Sequence, residues 1–181
     1  MVHVAIAVLL AAFLAACAAP ARPAGPDAAF VGGSADGALY VAVALHDGRA
    51  TGFTTDGAGV ATWFDGTATG GLLDLRAADG AELRGGVHGR IVHGGVVPAG
   101  GGDDRSFVAV WADEPAGLYR ADAVGGDDRI VWIRFADGTS RGVAEIAGTP
   151  FPAPDPAADL VVGGIHFGPL VRVAGGAVTG P

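Results

Sequence analysis

The stretch LLDLRAADGAELRGGV, from Leu72 to Val87, decides the fold, because only one loop length puts like residues on like faces. A two-residue Asp79-Gly80 turn would set Leu75 across from Arg84 and Leu73 across from Gly86. A three-residue loop, Ala78-Asp79-Gly80, instead pairs Leu75 with Leu83, Arg76 with Glu82 and Asp74 with Arg84. Apolar residues then share one face and opposite charges the other. This is the three-residue hairpin in which glycine takes the left-handed position and forms a bulge.

The same phrase recurs at Ala35 to Gly37 and Ala136 to Gly138, and Asp-Gly alone at Asp47, Asp56 and Asp65. At Ala136-Asp137-Gly138 the three-residue loop sets Trp132 across from Gly142 and Arg129 across from Glu145. Asp47-Gly48 suits a two-residue turn that puts Leu39, Val41, Val43 and Leu45 on one face with Ala50 and Gly52. A four-residue loop over Asp56 to Gly59 would bring Trp63 across from Gly52.

Outward from these turns, runs rich in Val, Leu, Phe, Trp and Thr alternate with glycine-bearing connections, and no window has a helical period. Strands are expected over Ala38 to His46, Arg49 to Thr55, Val60 to Asp65, Leu72 to Ala77, Ala81 to His88 and Arg90 to Val97. Others follow over Arg105 to Ala112, Leu118 to Val124, Arg129 to Phe135 and Thr139 to Ile146. A Pro-rich bridge, TPFPAPDP, then leads to a weaker pair near Leu160 to Val162 and Leu170 to Val173. The expected class is all-β, an antiparallel meander of ten or more short strands in a closed or flattened barrel or a two-layer sheet.

With 181 residues, half of them apolar, the chain has material for one core. It contains no Lys, Asn or Gln, the bias that G+C-rich codons impose. The net charge of −8, with eleven scattered Arg, offers no basic stripe for a nucleic acid.

The N-terminal residues are of different material. From Val4 to Ala16 the run VAIAVLLAAFLAA is wholly apolar and, as a helix, would reach only about 20 Å, short of a bilayer core. Residues 1–16 are therefore expected to be a signal peptide, although only His3 and the terminal amine stand where Lys or Arg is usual. The run ends in Leu14-Ala15-Ala16-Cys17, which resembles the bacterial lipobox. That resemblance implies a diacylglyceryl thioether on Cys17 and an outward-facing, lipid-anchored place at the cell membrane, two acyl chains sufficing for stable anchoring. The single cysteine cannot form an internal disulfide or half of a Cys-rich metal site. Residues 17–29 are expected to be the lipidated cysteine and a Pro/Ala tether, 30–147 the β-domain, and 148–181 the bridge and C-terminal strand pair.

Candidate chemistry is sparse. GGDDR, at Gly101 and again at Gly125, resembles the signature of cyclic dinucleotide synthases, but that chemistry needs an α/β domain; a repeated loop leading into a strand is expected instead. Asp103-Asp104 and Asp127-Asp128 lack the ligand spacing of a calcium loop and are expected at solvated tips. A two-residue Gly89-Arg90 turn would pair His88 with Ile91 and His93 with Gly86, projecting both imidazoles from one face with Glu82 and Arg84. Two ligands beside an arginine do not complete a zinc shell, so no metal and no cofactor are expected. Ser34, Ser106 and Ser140 lie in no nucleophile elbow. Tyr40, Phe53, Trp63, Phe64, Trp111 and Trp132 are expected in the core.

ALHDGRATGFTTDGAGVATWFDG, followed by PAGLYRAD and RIVWIRFADG, resembles an uncharacterised group of exported β-rich proteins of high-G+C Gram-positive bacteria. The likeness covers most of Phe30 to Ile146 and rests on Gly48, Asp56-Gly57, Trp63, Gly66 and Gly117-Leu118-Tyr119-Arg120. The group often has a cysteine where Thr55 stands, and the likeness implies no activity. The expectation is a membrane-anchored, non-catalytic β-domain with a structural or binding role in the cell envelope. The alternatives are a barrel enclosing a small apolar ligand, which needs an internal cavity, and an envelope hydrolase, which needs His46, His88 or His93 in a polar cleft.

Overall fold

A computed structural model describes residues 28–176; Cys17, the expected signal peptide and most of the expected tether lie outside them. Among the described residues every regular element is a strand. Eight form a closed antiparallel barrel in chain order: β1 (Ala28–Gly33), β2 (Tyr40–His46), β3 (Arg49–Thr55), β4 (Ala61–Thr69), β5 (Leu72–Arg76), β6 (Glu82–His88), β7 (Ile91–Val97) and β8 (Arg105–Trp111), with β8 closing on β1. A second sheet has the order β12-β11-β10-β9-β15, from β9 (Gly117–Asp122), β10 (Arg129–Arg134), β11 (Ser140–Ile146), β12 (Thr149–Pro152) and β15 (Val171–Arg172). The short strands β13 (Val161–Val162) and β14 (Ile165–His166) pair with each other.

The Asp-Gly phrase builds turns, and its aspartate takes part. Leu75 pairs with Leu83 and Arg76 with Glu82 across a three-residue loop, and Gly80 has φ +93°. Trp132 likewise faces Gly142 across Ala136-Asp137-Gly138, with Gly138 at φ +86°. In all three ADG turns the aspartate carboxylate accepts the backbone N–H two residues on: Asp36 from Ala38 at 3.0 Å, Asp79 from Ala81 at 2.9 Å and Asp137 from Thr139 at 2.9 Å. This is the Asx turn, which offers the backbone a partner where the ladder ends. At Asp47-Gly48 both residues have positive φ, the hairpin turn whose twist matches its strands.

The loop after β3 is longer than its sequence suggests. Asp56 Oδ1 accepts the N–H groups of Ala58, Gly59 and Val60 at 2.8 to 2.9 Å, so Val60 belongs to the loop, and pairing resumes at Thr55 with Ala61. One extra residue reverses the faces of β4. Phe64, not Trp63, lies across from Gly52, and Trp63 faces Phe53 with ring centroids 4.8 Å apart.

Burial patterns record the layering. Strands β5 and β8 alternate buried and exposed residues, as expected of a sheet with one wet face. Strands β2 and β3 are buried almost throughout, because the second sheet covers their outer face. Inside the barrel, Phe30, Val41, Val43, Ala50, Phe64, Leu75, Leu83, Val92 and Ala109 are all fully buried. Side chains fill the interior, as an eight-stranded barrel permits. Between barrel and sheet, Val31, Ala42 and Phe53 meet Leu118, Val131, Ile133 and Val173. The sheet's far face, with Ile130, Trp132 and Ala144, is covered by Leu160 and Phe167 of the C-terminal segment. Trp132 Nε1 anchors that cover by donating to Pro154 O at 2.7 Å. Barrel curvature demands close backbone approaches: a Cβ on Gly66 would stand 2.1 Å from Asp74 O on the adjacent strand.

Three boundaries differ from expectation. Ala28 and Ala29, placed in the tether by their Ala/Pro context, open β1 and pair with Leu45 and Ala44. The start of the Pro-rich bridge is strand β12, an edge position where proline's missing N–H costs no ladder bond. The two C-terminal segments do not pair together: Val161–Val162 turns at Gly163-Gly164 onto Ile165–His166, while Val171–Arg172 joins β9.

Candidate functional site

The histidine pair falls where the sequence places it. A tight Gly89-Arg90 turn, with Gly89 at φ +62°, sets His88 opposite Ile91 and His93 opposite Gly86. Both imidazoles are exposed on the outer barrel face, with ring centroids 6.5 Å apart. Glu82 shares that face and is held between Arg76 and Arg84 as their carboxylate partner. The pair stands on an open convex surface and not in a cleft. Among the described residues no group of three or more His, Cys, Asp or Glu side chains gathers to hold a metal.

The remaining sequence candidates disperse. His46 lies on the β2–β3 hairpin with Nε2 3.4 Å from Asp47 Oδ2. Ser34 Oγ bonds to Asp36 and accepts the Leu39 N–H at 3.0 Å within its own turn. Ser106 lies opposite Gly95 and Ser140 opposite Arg134. Both GGDDR stretches lead into strands, β8 and β10. Their acids differ from expectation in one respect: Asp128 Oδ1 accepts the Ala147 N–H at 2.7 Å and ties the loop before β10 to the turn after β11, so it is no free loop tip. Phe53, Phe64 and Trp132 are fully buried, whereas Tyr40, Trp63 and Trp111 are half-buried.

Trp111 belongs to a cluster that seals one barrel end. Its ring packs edge-on to Phe30 at 5.6 Å, Arg90 stacks over it at 5.1 Å, and its Nε1 donates to Asp113 at 2.7 Å. The Trp111 and Arg90 hydrogen bonds hold the Asp113 carboxyl below the usual carboxylate range. Arg172 braces the neighbouring loop, its Nη2 donating to Ala112 O at 2.8 Å and Ala116 O at 3.3 Å. Arg90 is paired with Asp113 at 2.8 Å and Arg172 Nη1 lies 3.7 Å from Glu114 Oε1, while Arg172 Nε is buried without a hydrogen-bond partner.

The concavity that sequence reasoning missed lies between the barrel and the second sheet. It measures about 210 Å³ and has Trp63 on one wall, Val131 and Val143 at its floor, and Arg129 and Glu145 at its rim. Arg129 Nε and Glu145 Oε2 are 4.0 Å apart across the β10–β11 hairpin. The hairpin register was legible as a charge pair; the approach of Trp63 was not, because it follows from the extra loop residue after Asp56. A second hollow of about 270 Å³ adjoins Ala28, Leu45, Glu114 and Arg172, where β1 begins. Neither brings a nucleophile to a histidine.

No protein-family description, no curated protein and no solved structure matches the chain. Its own residues carry the functional reading.

Proposed function

We propose that the protein is an exported lipoprotein, held at the outer side of the cell membrane by acyl chains on Cys17, whose non-catalytic β-domain has a structural or binding role in the envelope. The observation that carries this reading is Leu14-Ala15-Ala16-Cys17 at the end of an apolar run too short to span, followed at once by a Pro/Ala spacer. With β1 beginning at Ala28, ten residues separate the cysteine from the domain and would reach roughly 30 Å if extended.

Two features of the domain support it. The loops at the barrel end opposite Ala28 carry Asp36, Asp56, Asp79, Asp103 and Asp104. An anionic bilayer surface repels such an end and favours the orientation in which the tethered end faces the membrane. The filled barrel interior, with Phe64, Leu75 and Leu83 at 0% exposure, leaves an apolar ligand no room beside those side chains and favours binding at outer surfaces.

The test is fractionation of cells expressing the full chain. The wild-type protein stays with membranes through a high-salt wash and partitions into detergent. Cys17→Ser, which cannot form the thioether, accumulates as precursor and takes up no labelled fatty acid. Equal labelling of both forms, or release of the wild type by salt alone, would refute the anchor.

A further inference from the structure

The outer face of β5–β8 is the part of the barrel where exposed apolar residues and the histidine pair coincide. Its two rungs nearest the β6–β7 turn carry Leu72, His93 and Val108 in one row and His88, Ile91 and Val110 in the next. Leu72, Ile91, Val108 and Val110 are 69%, 38%, 47% and 52% exposed. Val60, Val124, Val161 and Val171 are exposed elsewhere, but these four lie on neighbouring positions of one sheet face, and a contiguous apolar cluster marks an interaction site.

The histidines in its midst have the geometry of half a metal site. His88 folds back over Gly86, where a Cβ would stand 2.9 Å from its Nε2, so the bare glycine admits the ring toward His93. Two imidazoles on one tetrahedral zinc, with Zn–N near 2.0–2.1 Å, have centroids about 5 Å apart. The observed 6.5 Å closes to that by rotation of two exposed side chains. Arg84, the cation nearest in register, is ion-paired through Nη2 with Glu82. One chain supplies two ligands and, among the described residues, no third. A closed zinc shell needs four.

We propose that zinc bridges two copies of this chain, each contributing His88 and His93, with Leu72, Ile91, Val108 and Val110 packed around the ion. A twofold rotation applies one patch to itself, so two identical half-sites complete four ligands without any further residue. The size of the face sets the metal dependence. Four strands of five to seven residues cover about 19 by 23 Å. That is roughly half the area per partner of a standard stable interface, about 800 Å². The apolar contact alone is too small to hold the dimer, and the coordinate bonds supply the rest. The inference is independent of the lipid anchor.

Sedimentation and zinc titration of the purified full chain in detergent test it. The chain is monomeric in EDTA, binds half an equivalent of zinc per chain, and doubles in protein mass as it does so; EDTA reverses both. His88→Ala and His93→Ala each lose the zinc-dependent dimer while keeping the melting temperature of the wild type in EDTA. Leu72→Asp, at a position whose exposure spares the core, also loses it. The proposal is overturned by one zinc per chain without dimerisation, by a dimer that persists in EDTA or in His93→Ala, or by zinc binding no tighter than that of a chain carrying both His88→Ala and His93→Ala.

Discussion

Replacing Asp56 tests how a single carboxylate sets the register of the barrel. Asp56 Oδ1 is the common acceptor for three consecutive N–H groups, from Ala58 to Val60. Partial burial pushes its pKa up, but the hydrogen bonds from Gly59, Ala58 and Val60 outweigh this and hold the carboxyl below its ordinary value. The loop is exposed, so in Asp56→Ala water replaces part of what is lost; the closest analogue is a lost helix N-cap, at about 1–2 kcal/mol. For a domain of about 150 residues that is a fall in Tm of about 3–6 °C. Asp56→Asn keeps a neutral acceptor and loses about half as much, because charge-assisted hydrogen bonds are roughly twice as strong. A depressed folded-state pKa stabilises above the unfolded value, about 3.9, and that stabilisation disappears as pH falls through the folded value. Thermal melts followed by near-ultraviolet circular dichroism should therefore separate wild type from Asp56→Ala at pH 7 and bring them nearer at pH 2.5. Equal melting of the two at pH 7, or a gap that does not narrow with acid, would refute the carboxylate's role.

Two further outcomes follow from the turns and the C-terminal cover. Gly80→Val and Gly138→Val should each destabilise the domain by more than about 1 kcal/mol, since a β-branched residue at positive φ is strained even in open space; unchanged denaturant midpoints would contradict the bulged loops. Trp132→Phe removes the donor to Pro154 O and should cost about 1–3 kcal/mol, opening the segment after Pro154 to limited proteolysis before the barrel; simultaneous cleavage of both would show that the cover is not held there.

The legible parts of this fold were those fixed by neighbours along the chain. Charge and core pairing across Asp79-Gly80 gave one register, and Gly89-Arg90 placed both histidines, because a hairpin's register depends only on its loop. Where a side chain alters the loop, the sequence misleads: nothing in TTDGAGVATW announces that Asp56 will hold Val60, and Trp63 therefore changes face. AAFVGG was hidden as a strand because small residues buried on both faces show no alternation. The Gly163-Gly164 signal of the β13–β14 hairpin was present in VVGGIH and outweighed by the Pro-rich context. The cleft beside Trp63 is tertiary, since it forms where β4 meets the second sheet, and the apolar residues around His88 and His93 come from three successive hairpins that must be read together.

Intact-mass and N-terminal peptide analysis of the detergent-extracted wild-type protein decides whether Cys17 is the anchor. The mature chain is expected to begin at Cys17 and to carry a diacylglyceryl group on its sulfur. An unmodified N-terminus at Ala18 or beyond, or an intact leader with a free thiol, would contradict it and leave the barrel without its anchor.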